Sequence, residues 1–465
     1  MLLIKGSLPP MAAGKVSTCT LFHVLKSGRR SHKMGELQSS LFNHVLQRSY
    51  STGETEKIEK YGAVVVGAGP AGLAVVGNLL EQKKGPVLWV GNNALARYGG
   101  GRLCNRYRDV PSNTKVKFFT MFADALEPFQ EITKNAAVPN PYSRLKELDQ
   151  EKTCRISDAA DLGTLLGSRL GFAQGVYRVP GSVRSASWSD ANHWNVKFQP
   201  LFSDGILFPA LSASSDLLFL CTGSHPTVDY VQTGAVGIKK KHVIDLDSCL
   251  KPKLLAGKLY NLLSVRSDPE EKVTIGVIGA SHSAILVLRN LYNIASGPRE
   301  KYHDVRIKWF TRHELRYAEE RDGWIKRDNT GLKGEVATWA KKNLEADTLP
   351  GSDVSNYLEK VKTSPETEKE DYKKHLSGCH GVVQAIGFTK NELPVLERDG
   401  TALEITYDHE TSGFVDAEGK TIRGLYGAGI AFPEKVVDPE GTTEYAVGLW
   451  KFMKYLKRVA PTWTT

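Results

Sequence analysis

Three observations predict an α/β protein built around two strand–turn–helix units. Residues 61–80, and a second segment beginning at residue 272, each read as an apolar strand, a glycine-bearing turn and a helix. The chain has 465 residues, 41% of them hydrophobic and 24% charged, which is enough apolar material for two or three domains of roughly 150 residues. Between the two units, residues 176–198 and 217–220 read as strands punctuated by Gly, Pro, Ser and Asn.

The same composition excludes a disordered tail, a collagen-like repeat and a small disulfide scaffold. Six cysteines (Cys19, Cys104, Cys154, Cys221, Cys249 and Cys379) contain no C-x-x-C pair. Their scatter argues against a zinc ribbon, a thioredoxin-type dithiol or a secreted disulfide framework, and for a reducing compartment. No metal-ligand cluster and no Ser-His-Asp arrangement stands out. The longest apolar candidate, residues 63–80, carries four glycines and a proline, so no transmembrane segment is expected. Net charge is +10, but residues 1–50 hold seven Lys/Arg against the single acid Glu36. The remainder shows no basic stripe with interleaved aromatics, and no nucleic-acid partner is expected.

Residues 1–50 are basic and Ser-containing, with apolar positions Leu41, Phe42, Val45 and Leu46 that share one helical face. They are read as a transit peptide, with mitochondrial matrix as the expected location, plastid as the other organelle, and cytoplasm if the leader is only an extension. Arg48-Ser49-Tyr50-Ser51 is similar to a matrix-protease site, and Met1, Met11 and Met34 all stand as possible starts. Residues 363–374 read as a charged loop or helix in solvent, and residues 445–459 as a core-packing helix.

Gly67-Ala68-Gly69-Pro70-Ala71-Gly72 is a complete G-x-G-x-x-G between a strand and a helix. Gly67 makes the tight turn, Gly69 lets backbone approach a diphosphate, and Gly72 permits close helix–strand packing. The helix N-terminus, opening at Pro70 and Ala71, then offers free N–H groups and positive dipole to the anion. The acid expected after the second strand is replaced by Asn92 and Asn93, which offer a ribose an uncharged hydrogen bond instead.

The second signature runs Gly279-Ala280-Ser281-His282-Ser283-Ala284, with Ser281 and Ala284 in the second and third glycine positions. The following strand, residues 305–310, ends in Thr311-Arg312, and a cation there suits the 2′-phosphate of NADPH. Arg312 is otherwise a surface arginine. His282 either approaches a phosphate or flavin, or simply neighbours the helix N-cap. Two such units predict two Rossmann-like dinucleotide-binding domains, with one nucleotide held and one exchanged.

Gly67–Gly72, Cys221-Thr222-Gly223, Gly279–Ala284, Gln384-Ala385-Ile386-Gly387-Phe388 and the run ending at Gly429 occur in the order and spacing of two-dinucleotide flavoproteins. From about residue 62 onward the chain resembles that superfamily. The nearer resemblance is to the flavin-containing and N-hydroxylating monooxygenases, through Gly99-Gly100-Gly101-Arg102-Leu103 and Val110-Pro111-Ser112-Asn113-Thr114-Lys115. The usual aromatic after the double glycine is replaced by Arg102-Leu103, and the interdomain fingerprint is loose over residues 237–242. The resemblance implies FAD and NADPH as cofactors, Asn113 beside the flavin as the catalytic residue, and Gly100, Arg102, Thr222, Gly223, Gly387 and Gly429 among the cofactor contacts. It also implies an NADPH domain inserted into the FAD domain: FAD over residues 60–225, NAD(P)H over 226–379, and FAD again over 380–465.

The expected chemistry is flavin reduction by NADPH, reaction with oxygen to a C4a-hydroperoxide, and oxygen transfer to a soft nucleophile in a small-molecule substrate. An alternative is a reductase of a quinone, disulfide or protein acceptor without oxygen insertion. In the related disulfide reductases a Cys-x-x-x-x-Cys pair follows the double glycine. Here Cys104 is followed at the second position by Asp109, so a dithiol route is excluded and only a single-cysteine one stays open, against a structural cysteine. A regulatory nucleotide-binding protein is the third reading.

Overall fold

The computed structural model describes residues 59–91, 107–108, 110–189, 191–201, 209–229 and 242–464. The leader, Asn92, Asn93, Gly100, Arg102, Cys104 and nearly all of the 237–242 fingerprint lie outside those residues.

The first unit begins with β1 (Glu59–Val66), α1 (Pro70–Glu81) and β2 (Val87–Gly91). β1 and β2 are apolar runs buried on both faces, as parallel strands between covering layers must be. A short ribbon follows, β3 (Pro111–Lys115) against β4 (Thr153–Arg155), with α2 (Val116–Asp124) between them and α3 (Ile156–Leu170) after. A meander continues through β5 (Val176–Ser189), β6 (His193–Pro200) and β7 (Leu211–Leu220). The sequence reading of short strands over 176–198 is corrected here to one fourteen-residue strand and its antiparallel partner. The first half of β5 pairs in parallel with β2, and its second half turns to β6.

The chain then crosses out through β8 (Ser224–Pro226) into a second sheet, whose strands are β9 (Val243–Ile244), β10 (Val273–Ile278) and β11 (Val305–Thr311) with two more below. Helix α4 (Pro252–Ser264) precedes β10, and α5 (His282–Ala295) links β10 to β11. A hairpin of β12 (Glu319–Arg321) and β13 (Trp324–Lys326) leads to α6 (Gly334–Asn343), then β14 (Leu358–Lys362), α7 (Glu368–His375) and β15 (Gly381–Gln384). The order β14-β11-β10-β15-β9 is parallel throughout.

The return strand β16 (Phe388–Lys390) pairs antiparallel with β8, so the two crossing segments form one ribbon. Because β15 belongs to the second sheet, the first unit resumes after residue 384 rather than at 380. It is completed by β17 (Val395–Arg398), β18 (Thr401–Ala402), β19 (Thr406–Tyr407), β20 (Gly413–Val415), β21 (Thr421–Gly427), the hairpin β22 (Glu434–Val437) and β23 (Thr443–Ala446), and α8 (Leu449–Val459). The first sheet runs β18-β17-β5-β2-β1-β7-β21-β20-β19, with β6 bridging β5 and β7.

Two cores hold these layers. One packs α1, α2, α3 and α8 against one face of the first sheet, burying Leu73, Phe122, Phe129, Met453 and Trp463. The apolar face of α8 at helical spacing is therefore core. The other surrounds β10 and α5 and includes Val110 from the first unit, so the residues entering β3 are anchored in the inserted unit's core. Among the described residues no helix is long and apolar enough to cross a membrane.

Candidate active site

The first glycine turn is shaped by close approach. Gly67 has φ +113°, and a Cβ there would stand 2.1 Å from the Cys221 carbonyl oxygen. A Cβ on Gly72 would stand 2.0 Å from the Gly67 oxygen, so strand and helix touch at that position. Gly69 has φ −80°, and a Cβ added to it meets nothing within 4 Å among the described residues. The second glycine thus faces open space while the first and third are packing requirements. No side chain caps α1 and its first turn holds no acid, so Pro70 and Ala71 open an uncovered, positive helix end.

Three distant segments converge there. Cys221 N–H donates to Val66 O at 2.8 Å, bringing Thr222 and Gly223 to the end of β1. The Thr222 hydroxyl is buried without a partner among the described residues, an orphan that a ligand oxygen or hydroxyl would satisfy. Gly223 is left-handed, φ +73°, with its carbonyl taken by the Asn391 amide. Gly429 lies against α1, where a Cβ would come within 2.6 Å of Ala71 Cβ.

The second turn repeats the plan with looser residues. Gly279 has φ +127°, and its Cβ would stand 2.4 Å from Ala385 O. Ala284 is fully buried in the third glycine position, and the exposed Ser281 occupies the second as an N-cap without a side-chain bond. Ser283 is half-buried on the first turn of α5. Gly387 lies on the crossing ribbon with φ +113°, its carbonyl accepting Thr227 N–H, rather than at either turn.

His282 connects this turn to β3. Its ring nitrogens are buried, beside the Pro111 carbonyl but without a hydrogen bond of good geometry. Burial, with the nearby Arg289 charge, pushes its pKa down to about 4, so the imidazole is neutral at physiological pH. Two residues beyond Pro111, Asn113 is the exposed residue of β3. It lines a cleft of about 1240 Å³ whose walls come from β3 and β4 on one side, residues 317–341 of the inserted unit on another, and the β22–β23 hairpin with α8 on the third.

Polar bonds tie those walls together, and none of them was legible in the sequence. Glu444, 5% exposed, accepts from the Asn329 backbone N–H at 3.0 Å, from its side-chain amide at 3.2 Å, and from the Thr330 hydroxyl. Lys451 on α8 reaches Asp328 at 2.7 Å and Asn329 Oδ1 at 2.6 Å. Lys115 reaches Glu320 at 2.7 Å. Gly334, φ +58°, lets α6 approach β3 and β4, since its Cβ would meet Thr153 at 3.3 Å.

Arg312 does not present a free fork at the end of β11. Its Nε donates to Glu368 Oε1 at 2.8 Å and its Nη2 closes the second bond of the pair. Glu368 is 6% exposed and also accepts from the Tyr372 hydroxyl at 2.7 Å. Residues 363–374, expected as a solvated segment, therefore carry the arginine's partner on α7. The guanidinium keeps its outer edge exposed, and the pair holds its charge firmly.

The described cysteines are not activated thiols. Burial pushes Cys154 up to about 12 and Cys379 to about 11, and Cys221 and Cys249 are raised further in the same direction. Among the described residues no group of acids, cysteines and histidines is placed to hold a metal.

No protein-family model matches the chain. The chain is 44% identical over 407 residues to the monooxygenase AgnR1 of Paecilomyces divaricatus, covering 87% of this chain and 98% of that protein. Among solved structures it is similar to the HOCl-induced flavoprotein disulfide reductase RclA from Escherichia coli, at 11% identity over 86% of this chain and 70% of that one, TM-score 0.39. It is also similar to DfoA, the FAD-bound cadaverine monooxygenase of desferrioxamine biosynthesis from Erwinia amylovora, at 15% identity over 84% of each chain, TM-score 0.38. Near-complete coverage at that identity to AgnR1 identifies the chain as an oxidoreductase belonging to the same monooxygenase family.

Proposed function

We propose that this oxidoreductase holds FAD at the first glycine turn, takes hydride from NADPH at the second, and inserts one oxygen atom of O2 into a soft nucleophile of a small molecule. Balance requires one NADPH and one proton per turnover, with the second oxygen atom leaving as water. The observation that carries the reading is the pair of uncapped helix N-termini, each behind a left-handed glycine turn. An anionic diphosphate is the ligand such an end selects.

When bound, the flavin would supply the oxygen chemistry. The chain's own residues bind, orient and exclude water. The orphaned Thr222 hydroxyl and the unfilled space at Gly69 fit the first nucleotide. Neutral His282 and exposed Ser281 fit the second, and Arg312, held by Glu368, offers its outer edge to a 2′-phosphate. Asn113 Oδ1 accepts from the Thr114 hydroxyl at 3.2 Å, and among the described residues its amide nitrogen has no partner, which suits it to bond a flavin edge or substrate.

The test is coupling. Purified protein should retain FAD, and Asn113→Ala should release more peroxide per NADPH consumed, with FAD content unchanged. Unaltered peroxide release would remove Asn113 from the reaction. We further propose that residues 1–50 direct the chain to the mitochondrial matrix, a reading supported by their charge and composition. Import into isolated mitochondria with cleavage near Arg48 should follow, and retention of the full leader would refute it.

A further inference from the structure

Both turns are gripped from behind by the same device. In β2 the indole N–H of Trp89 donates to the Gly67 carbonyl at 2.9 Å, and in β11 the indole N–H of Trp309 donates to the Gly279 carbonyl at 2.7 Å. Each tryptophan is almost fully buried and stands two residues before the last of the strand that follows its turn and helix. Each is paired in register with a basic residue of the next parallel strand, Trp89 with Arg178 and Trp309 with Lys360. Those cations lie over the indole rings, at 4.8 Å and 5.0 Å from the ring centroids. Two unrelated stretches of sequence thus arrive at one arrangement: cation, indole, glycine carbonyl.

The consequence follows from peptide geometry. In a trans peptide the C=O and the next N–H point in opposite directions. Drawing the Gly67 and Gly279 carbonyls back toward an indole therefore turns the Ala68 and Ala280 N–H groups forward, away from the sheet. The cation over each ring makes the indole a stronger donor, and a donor on the carbonyl in turn polarises the amide beyond it. Without the indole each carbonyl is left without its buried donor and the turn is free to rotate.

We propose that Trp89 and Trp309 are positioning residues that fix the peptide planes of the two turns for diphosphate recognition, Trp89 serving FAD and Trp309 serving NADPH. This rests on the cofactor reading above. Each residue acts through one turn, so each variant should affect one nucleotide. The experiment measures FAD content and release, NADP+ affinity by titration, and thermal midpoint for the wild-type chain, Trp89→Phe, Trp309→Phe and Lys360→Met. Trp309→Phe should weaken NADP+ binding about tenfold and raise the KM for NADPH with little change in kcat and full FAD content. Lys360→Met, which keeps the indole and removes the cation at an edge strand, should weaken NADP+ binding about twofold in the same direction. Trp89→Phe should lose FAD on dilution. Should that variant fail to fold, the Trp309 and Lys360 comparison decides alone. Unchanged affinities with a lowered thermal midpoint, or equal weakening of both nucleotides by either variant, would overturn the proposal. Wild-type protein that binds neither nucleotide would overturn the cofactor reading and this proposal together.

Discussion

Replacing Gly69 and Gly72 separately by alanine should separate ligand binding from folding within a single turn. At Gly69 the backbone is in an extended region open to any residue, and the added methyl meets no atom of the described residues within 4 Å. The apoprotein of Gly69→Ala should therefore be as stable as wild type or gain about 0.4–1 kcal/mol through a less flexible unfolded chain. If the diphosphate lies on this side of the turn as proposed, the methyl would crowd it, and FAD affinity should fall at least tenfold. At Gly72 the methyl would stand 2.0 Å from Gly67 O and 3.3 Å from Trp89 Nε1, both fixed by packing. Forcing strand and helix apart costs about 1–3 kcal/mol, and Gly72→Ala should lower apoprotein stability by that amount. Guanidinium unfolding of apoprotein and fluorescence titration with FAD measure the two effects. Gly69→Ala protein that binds FAD as wild type does would refute the placement of the ligand on the open side of the turn.

Three further outcomes are expected. Arg312→Ala strands the buried Glu368 carboxylate and should cost about 2 kcal/mol, whereas the double variant with Glu368→Gln should regain most of it; denaturant midpoints of the three proteins give the coupling. His282 has a folded pKa of about 4 against an ordinary 6.5, so the unfolded chain binds more protons between those values. Stability should therefore fall by up to about 3 kcal/mol as pH drops from 6.5 to 4 and level off below, and His282→Asn should remove that component of the pH profile. Glu444→Ala leaves three donors of Asn329 and Thr330 without their acceptor, so about 2 kcal/mol should be lost. Limited proteolysis should then cut first within residues 328–333, and an unchanged cleavage pattern would argue against a clamp there.

The nucleotide turns were legible because they are local: a strand, three spaced small residues and a helix lie within about twenty positions. Gly67 and Gly72 stand where close packing leaves no room for a Cβ, and Ala284 is buried in the third position of the second turn. What the sequence concealed is non-local. Glu368 is 56 residues from Arg312, and Glu444 is 115 from Asn329. A charged, low-hydropathy stretch such as 363–374 gives no sign that one of its acids is buried against an arginine. The Trp89 and Trp309 grips left a signal that was available, a tryptophan within the strand that follows each turn. Residue type alone does not tell a core tryptophan from one holding a glycine carbonyl. Asn113 was found by resemblance; its exposure in a cleft between the units depends on β3 being anchored by Val110 in the other unit's core.

Oxygen activation is the central claim, and rapid mixing tests it most directly. Leader-free protein is reduced with NADPH under anaerobic conditions and mixed with oxygenated buffer while the flavin spectrum is followed. A transient absorbing species between reduced and oxidised flavin is the expected result. Direct return to oxidised flavin with stoichiometric peroxide and no transient would contradict it and leave electron transfer to another acceptor as the reaction.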